Sequence, residues 1–167
     1  RYSHKMFTIT NGYDEEDLKG LPLVNKKIRK KTICYSGRFQ ARIAGNTFKP
    51  GEIFIDLIKK LVEVGMITAS DIEVDIFGNC DSRIKSKINN LSLNAIFNIK
   101  GYEDHKNTLV CINNADYLLI LLENEKGTDL IIPAKIFEYL SLKLPILAII
   151  PPGALSDLLD EYNIRWC

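Results

Sequence analysis

The sequence predicts an α/β protein, a doubly wound parallel sheet with helices on both of its faces. Three observations carry the prediction. Short runs rich in β-branched residues alternate with segments of helical spacing. The runs are apolar on both faces, as strands buried between two helix layers must be. Gly37, Gly78 and Gly101 stop successive runs at their carboxyl ends. At 167 residues, 46% apolar and 26% charged, the chain is large enough for one packed domain.

The elements follow in order. Thr32–Ser36 (TICYS) is a strand ended by Gly37. Pro50–Val64 has helical spacing, with Phe54, Leu57, Ile58, Leu61 and Val62 on one face and Lys59, Lys60 and Glu63 off it. Ile72–Phe77 (IEVDIF) is a strand closed by Gly78-Asn79. Asp81–Leu91 is a short polar helix with Asp81 or Ser82 as its cap. Ala95–Ile99 is a strand ending at Lys100-Gly101, Asp104–Asn113 a helix, and Asp116–Leu122 (DYLLILL) a buried strand. After the loop ENEKGTD, Pro133–Leu142 is a helix with proline in its first turn, where a missing N–H costs nothing. Pro145–Ile150 is another buried strand, and Ala154–Glu161 the last helix.

The first 31 residues differ. FTITNG reads as extended and DEEDLKG as an acidic helical turn. The basic stretch Asn25–Lys31 (NKKIRKK) has two readings, a solvated loop or a contact with anionic lipid. It lacks the interleaved aromatics of a nucleic-acid site, and 22 basic against 21 acidic residues leave no field to attract one. Tyr117–Leu122 and Leu144–Pro152 are the longest apolar stretches, far short of the roughly 20 residues of a spanning helix. Cys34, Cys80, Cys111 and Cys167 have no metal-site spacing and read as small buried hydrophobes in a reducing compartment. The chain opens without a methionine or a signal-peptide pattern, and both ends read as cut from something longer.

No P-loop, GxGxxG, HExxH or G-x-S-x-G is present, so any catalytic part is played through binding. In a doubly wound sheet ligands bind beyond the carboxyl ends of the strands. The densest constellation at that edge is GTDLIIPAKIFEYLSLKLPILA, residues 127–148. Gly127 and Thr128 form a flexible loop entering a helix whose free amides near Pro133–Lys135 suit an anion. Lys135 puts a cation at the wrong end of that helix for its dipole, which points to a negative ligand. Glu138, one turn on, either pairs with Lys135 or holds the paired hydroxyls of a ribose. Tyr139 is expected to pack. Gly101-Tyr102 is a tight turn or a loop framing a planar base. His105 is structural or reaches a phosphate or another acceptor. Of Arg38 and Arg42, one suits a diphosphate through its two-pronged guanidinium and the other is surface.

The order of blocks ITNGYDEEDL (9–18), ICYSGRF (33–39), VDIFGNC (74–80), IKGYEDHKNTL (99–109), ADYLLILL (115–122) and IPAKIFEYLSLKLPILAI (132–149) resembles a known family. Together they look like the carboxyl-terminal half of retaining glycosyltransferases of the GT-B fold, family 4, of bacterial surface-polysaccharide pathways. The resemblance implies a Rossmann-like donor domain over 32–167, with residues 1–31 as interdomain linker marked by Asn11-Gly12-Tyr13-Asp14. It implies an amino-terminal acceptor domain outside this chain, so that the fragment alone turns over nothing.

By the same resemblance Glu138 matches the residue that holds the donor ribose, and Lys135 with the nearby amides the diphosphate site. Gly101-Tyr102 matches the loop framing the base, and Gly37-Arg38 the first glycine loop near the phosphates. The paired-glutamate motif is incomplete: its first position is Leu130 here, leaving Asp129 as candidate for the sugar contact. The implied ligand is a UDP- or GDP-sugar, with no metal and no further cofactor. The implied acceptor is a glycan or lipid-linked, and the implied place is the cytoplasm, with peripheral contact to the inner face of the plasma membrane. Two rivals stay open, an NDP-sugar epimerase and a non-catalytic flavodoxin-like regulatory domain.

Overall fold

The computed structural model describes residues 11–22, 30–40 and 49–167. Arg42, residues 7–10 of the predicted extended segment and 25–29 of the basic stretch lie outside the described residues. The elements are α1 (Glu15–Leu18), β1 (Lys31–Ser36), α2 (Pro50–Glu63), β2 (Ile72–Phe77), α3 (Ser82–Asn90), β3 (Phe97–Gly101), α4 (His105–Asn113), β4 (Tyr117–Leu121), α5 (Lys135–Leu142), β5 (Ile146–Ile149) and α6 (Ala154–Glu161). The five strands form one all-parallel sheet in the order β3-β2-β1-β4-β5. The chain winds outward from β1 to β3, then crosses back to place β4 on the other side of β1. The carboxyl ends of β1 and β4 therefore border the reversal point, where an open α/β sheet offers its ligand crevice.

Alternation along the strands divides the core in two. Ile33 and Tyr35 of β1 face a cluster with Phe54, Ile55 and Ile58 of α2 and Ile84 and Ile88 of α3. Cys34, between them, faces a cluster with Leu109 and Ile112 of α4, Ile136 and Tyr139 of α5, and Leu155 and Leu159 of α6. The predicted α/β doubly wound sheet is the observed one.

The predicted cap forms at Asp81, and two further helices are capped in the same way. Asp81 starts α3 by accepting from the Arg83 amide at 2.8 Å, and Asp104 starts α4 by accepting from Asn107 at 2.9 Å. Asp14 starts α1 in the same way, accepting from Glu16 at 2.9 Å. The final residues begin another parallel pairing on β5: Cys167 N donates to Ala148 O at 3.0 Å and Ile150 N to Cys167 O at 2.8 Å. Among the described residues no helix is long and apolar enough to cross a membrane.

Several boundaries and one face differ from the sequence expectation. The strand expected at Ala95 starts at Phe97, because the amides of Ile96 and Phe97 both turn back to Leu93 O. Helix α5 starts at Lys135 rather than Pro133, since Ile136 and Phe137 bond the carbonyls three residues back and close a tighter turn. On α2 Leu57 is 45% exposed while Ile55 is fully buried. That helix lies over the centre of the sheet, which rotates its buried stripe to Phe54, Ile55 and Ile58. Cys34 and Cys80 are buried as expected, but Cys167 is exposed.

The glycine edge is a steric requirement. Gly37, Gly78 and Gly101 all have positive φ, at 126°, 106° and 79°. Gly37 N donates to Phe77 O at 2.8 Å and Gly78 N to Gly101 O at 2.5 Å, which draws the three strand ends into a closed row. A Cβ on Gly78 would stand 2.4 Å from the Gly37 carbonyl oxygen, whereas one on Gly101 meets nothing within 4 Å. Gly78→Ala is therefore expected to cost about 3 kcal/mol and Gly101→Ala about 1 kcal/mol, read as the difference in urea unfolding free energy.

Candidate functional site

The end of β1 is held from α5. Lys135 and Tyr139, one turn apart, both reach Ser36. Lys135 Nζ donates to Ser36 O at 2.9 Å. The Ser36 amide donates to the Tyr139 hydroxyl oxygen at 3.2 Å, and the Ser36 hydroxyl lies 3.2 Å from the same oxygen. The Lys135 ammonium also stands over the Tyr35 ring, 4.0 Å from its centroid, and a Cβ on Gly37 would be 3.5 Å away. Tyr139 is packed as expected, fully buried, with its hydroxyl pKa raised to about 12 by that burial.

Burial also lowers the Lys135 pKa to about 8. The charged form is thus disfavoured there, and among the described residues it is met by a carbonyl and a ring face. An anion arriving at Gly37 would restore what the ammonium lost.

Arg38 is fixed by its backbone: Tyr35 Oη donates to Arg38 O at 2.9 Å, and Phe39, fully buried, packs edge-on against Tyr35 at 5.0 Å. With the Gln40 amide oxygen turned toward it, Arg38 donates from Nε and Nη1 at 3.1 and 3.2 Å. Arg38 divides two clefts. One, of about 370 Å³, runs from Ser36 and Gly37 past Gly78 to Tyr102, Glu103 and His105. The other, of about 250 Å³, lies between Tyr35, Gly51 at the start of α2, and Glu123 and Glu125 beyond β4. Tyr102 is 90% exposed at the outer end of the first cleft, its ring free to cover a planar ligand.

Glu138 does not pair with Lys135. The two side chains leave α5 in different directions, Lys135 toward β1 and Glu138 toward α4, where Glu138 Oε1 is 3.7 Å from His105 Nε2. Burial raises the Glu138 pKa, the His105 imidazole opposes that shift, and Asp17 adds to it. His105, read from sequence as structural or as reaching a phosphate or another acceptor, faces carboxylates; Asp17 Oδ2 is 3.5 Å from the same nitrogen.

The loop before α5 also departs from expectation. Gly127 and Thr128 are not a slack lead-in. The amide and hydroxyl of Thr128 donate to Glu125 O at 3.0 and 2.7 Å, and the Glu125 amide returns a bond to that hydroxyl at 2.9 Å. Gly127 takes the left-handed conformation that closes this turn, φ 90°, and Thr128–Leu130 forms a single 3₁₀ turn. Asp129 is exposed, and its backbone presses on Gly153, where a Cβ would come within 2.5 Å of Asp129 O. Leu130, 79% exposed, offers no polar group to a ligand.

The structure therefore brings Gly37, Arg38, Gly101, Tyr102, Lys135 and Glu138 to one sheet edge, and holds Gly127, Thr128 and Asp129 in a closed turn from which Thr128 lines the smaller cleft beside Arg38. Ser36, Tyr35 and Gly78 were not named as site residues from sequence. Only Gly78 had a legible signal, the glycine ending its strand.

The Lys135 arrangement sets a pH dependence. A lysine whose folded pKa lies below its unfolded value weakens the fold while protonated, and the penalty lifts as pH rises from about 8 toward the ordinary lysine value near 10.4. Lys135→Met is expected to raise stability at pH 7 by on the order of 1 kcal/mol and to flatten the rise between pH 8 and 10, measured as unfolding midpoints against pH.

No protein-family model matches this chain, and no curated protein matches it.

Proposed function

We propose that this chain is the donor-nucleotide-sugar-binding domain of a retaining glycosyltransferase. One observation carries the reading: a cation and a carboxylate, Lys135 and Glu138, come off one turn of α5 beside a row of strand-ending glycines, and point apart. A nucleoside diphosphate has chemistry in that order. Its diphosphate suits Lys135, Arg38 and the amides of the Ala134–Lys135 end of α5. Its vicinal ribose hydroxyls suit the two acceptor oxygens of Glu138. Its base suits the backbone at Gly101 and the exposed ring of Tyr102. The row of glycines leaves room for the close approach that such a ligand needs.

In the whole enzyme the bond from the sugar's anomeric carbon to the diphosphate oxygen breaks, and that oxygen keeps the electron pair. The acceptor hydroxyl oxygen bonds to the same carbon with retention of configuration, and its proton passes to the departing diphosphate. Lys135 and Arg38 stabilise the charge that grows on the leaving diphosphate. The acceptor, a glycan or a lipid-linked glycan, is held by an amino-terminal domain on the cytoplasmic side of the membrane. The donor is a UDP- or GDP-sugar.

Calorimetric or NMR titration of the chain with UDP, GDP, ADP and CMP tests the reading. One nucleoside diphosphate is expected to bind saturably. Glu138→Ala should weaken it about ten- to hundredfold, the size of charge-assisted hydrogen bonds lost from one carboxylate. Affinity should also fall as pH rises through about 8, where Lys135 loses its proton. Binding that survives both Glu138→Ala and Lys135→Ala unchanged refutes the site.

A further inference from the structure

Next to Glu138 lies a junction that nucleotide binding does not itself require. The segment from Asp14 to Pro22 runs along α4. Leu18 and Leu21 pack on the core cluster beneath α4, α5 and α6, and Asn114, at the carboxyl end of α4, donates through Nδ2 to Pro22 O at 3.0 Å. At the other end of the same helix, His105 Nε2 stands 3.5 Å from Asp17 Oδ2 and 3.7 Å from Glu138 Oε1. One ring nitrogen thus faces two carboxylates that belong to two different elements, α1 and α5.

Two carboxylates require that this nitrogen carry a proton, since a lone pair aimed at either oxygen would be repelled. The nitrogen carries one proton, and one proton makes one short hydrogen bond. Both separations exceed hydrogen-bond length, as befits a donor placed between two acceptors. Of the other acidic groups near the ring, Asp104 caps α4 through Asn107, and Glu103 lines the same cleft as His105.

We propose that His105 is a positioning residue that transmits the docking of residues 14–22 to Glu138. When Asp17 takes the Nε2 proton, both oxygens of Glu138 are left for a vicinal diol. When Asp17 is withdrawn, the imidazole closes on Glu138 Oε1 and removes one acceptor from the ligand. Linkage makes the effect reciprocal: a diol held by Glu138 releases His105 to Asp17 and tightens the segment onto α4 by the same factor. The proposal rests on the reading of Glu138 as the diol-binding residue, and segment 14–22 becomes a strap whose position tunes donor affinity.

Two measurements on the full chain test it. The first needs no nucleotide: NMR resonances of the His105 ring, recorded at one pH in wild type, Asp17→Asn, Glu138→Met and the double variant. Each single substitution should move the ring resonances, since each removes one of the two carboxylates beside Nε2. Asp17→Asn should move them further when Glu138 is already Met, because Asp17 is then the one carboxylate left at that nitrogen. Unchanged resonances, or strictly additive changes, overturn the competition.

The second measurement is affinity for UDP and GDP. Asp17→Asn should weaken binding about two- to fivefold in wild type and leave it unaltered in His105→Ala. An equal loss in both backgrounds overturns the role of His105. A wild-type chain that binds neither nucleotide refutes the donor-site reading and with it the tuning of affinity; the ring resonances still decide whether His105 is shared.

Discussion

The structure of the site depends on how Ser36 is held. It is the last residue of the central strand, and its carbonyl, amide and hydroxyl are all engaged by two residues of α5, Lys135 and Tyr139. These contacts tie the element that follows β4 to the end of β1, across the point where strand order reverses. Without them the β1 edge and the start of α5 would be neighbours only through their strands. With them, Gly37, Arg38 and the Lys135 ammonium have fixed relative positions before any ligand arrives, which is the condition for electrostatic recognition at low reorganisation cost.

The tie has an electrostatic consequence. A lysine reaching to the sheet edge loses water and receives a carbonyl dipole and a ring face in return, so its proton is held loosely. Glu138, turned away toward α4, suffers the opposite shift for the same reason, opposed by His105. Two opposite charges one turn apart would ordinarily neutralise each other at i, i+3. Here each is directed to a separate partner, Lys135 to Ser36 and Glu138 to His105.

Much of the architecture was legible in the chain because it follows from periodicity and local chemistry. Runs such as IEVDIF and YLLIL can be buried on both faces only between two helix layers, and Asp81 and Asp104 cap their helices through bonds to residues two or three positions away. The glycines that end β1, β2 and β3 were visible as punctuation, and with them the edge where a ligand belongs. The errors were of another kind. Leu57 fits the helical stripe of α2 as well as Ile55 does, and only the placement of α2 over the sheet separates them. The loop at Gly127 has the composition of a flexible segment, yet the Thr128 hydroxyl closes it.

What the sequence determined by itself is the set of elements, their parallel pairing between helices, and the candidate groups along 127–148, since each depends on residues close in the chain. Partnership was decided only by tertiary structure. Lys135 and Glu138 are three positions apart, and spacing alone favours pairing them. Their actual partners lie elsewhere in the chain, Ser36 at 99 positions from Lys135 and His105 in the helix before β4, and meet them only in the folded domain. A side chain's direction off a helix depends on what the sheet and neighbouring helices leave open. That is a property of packing among distant segments, and local pattern carries no trace of it.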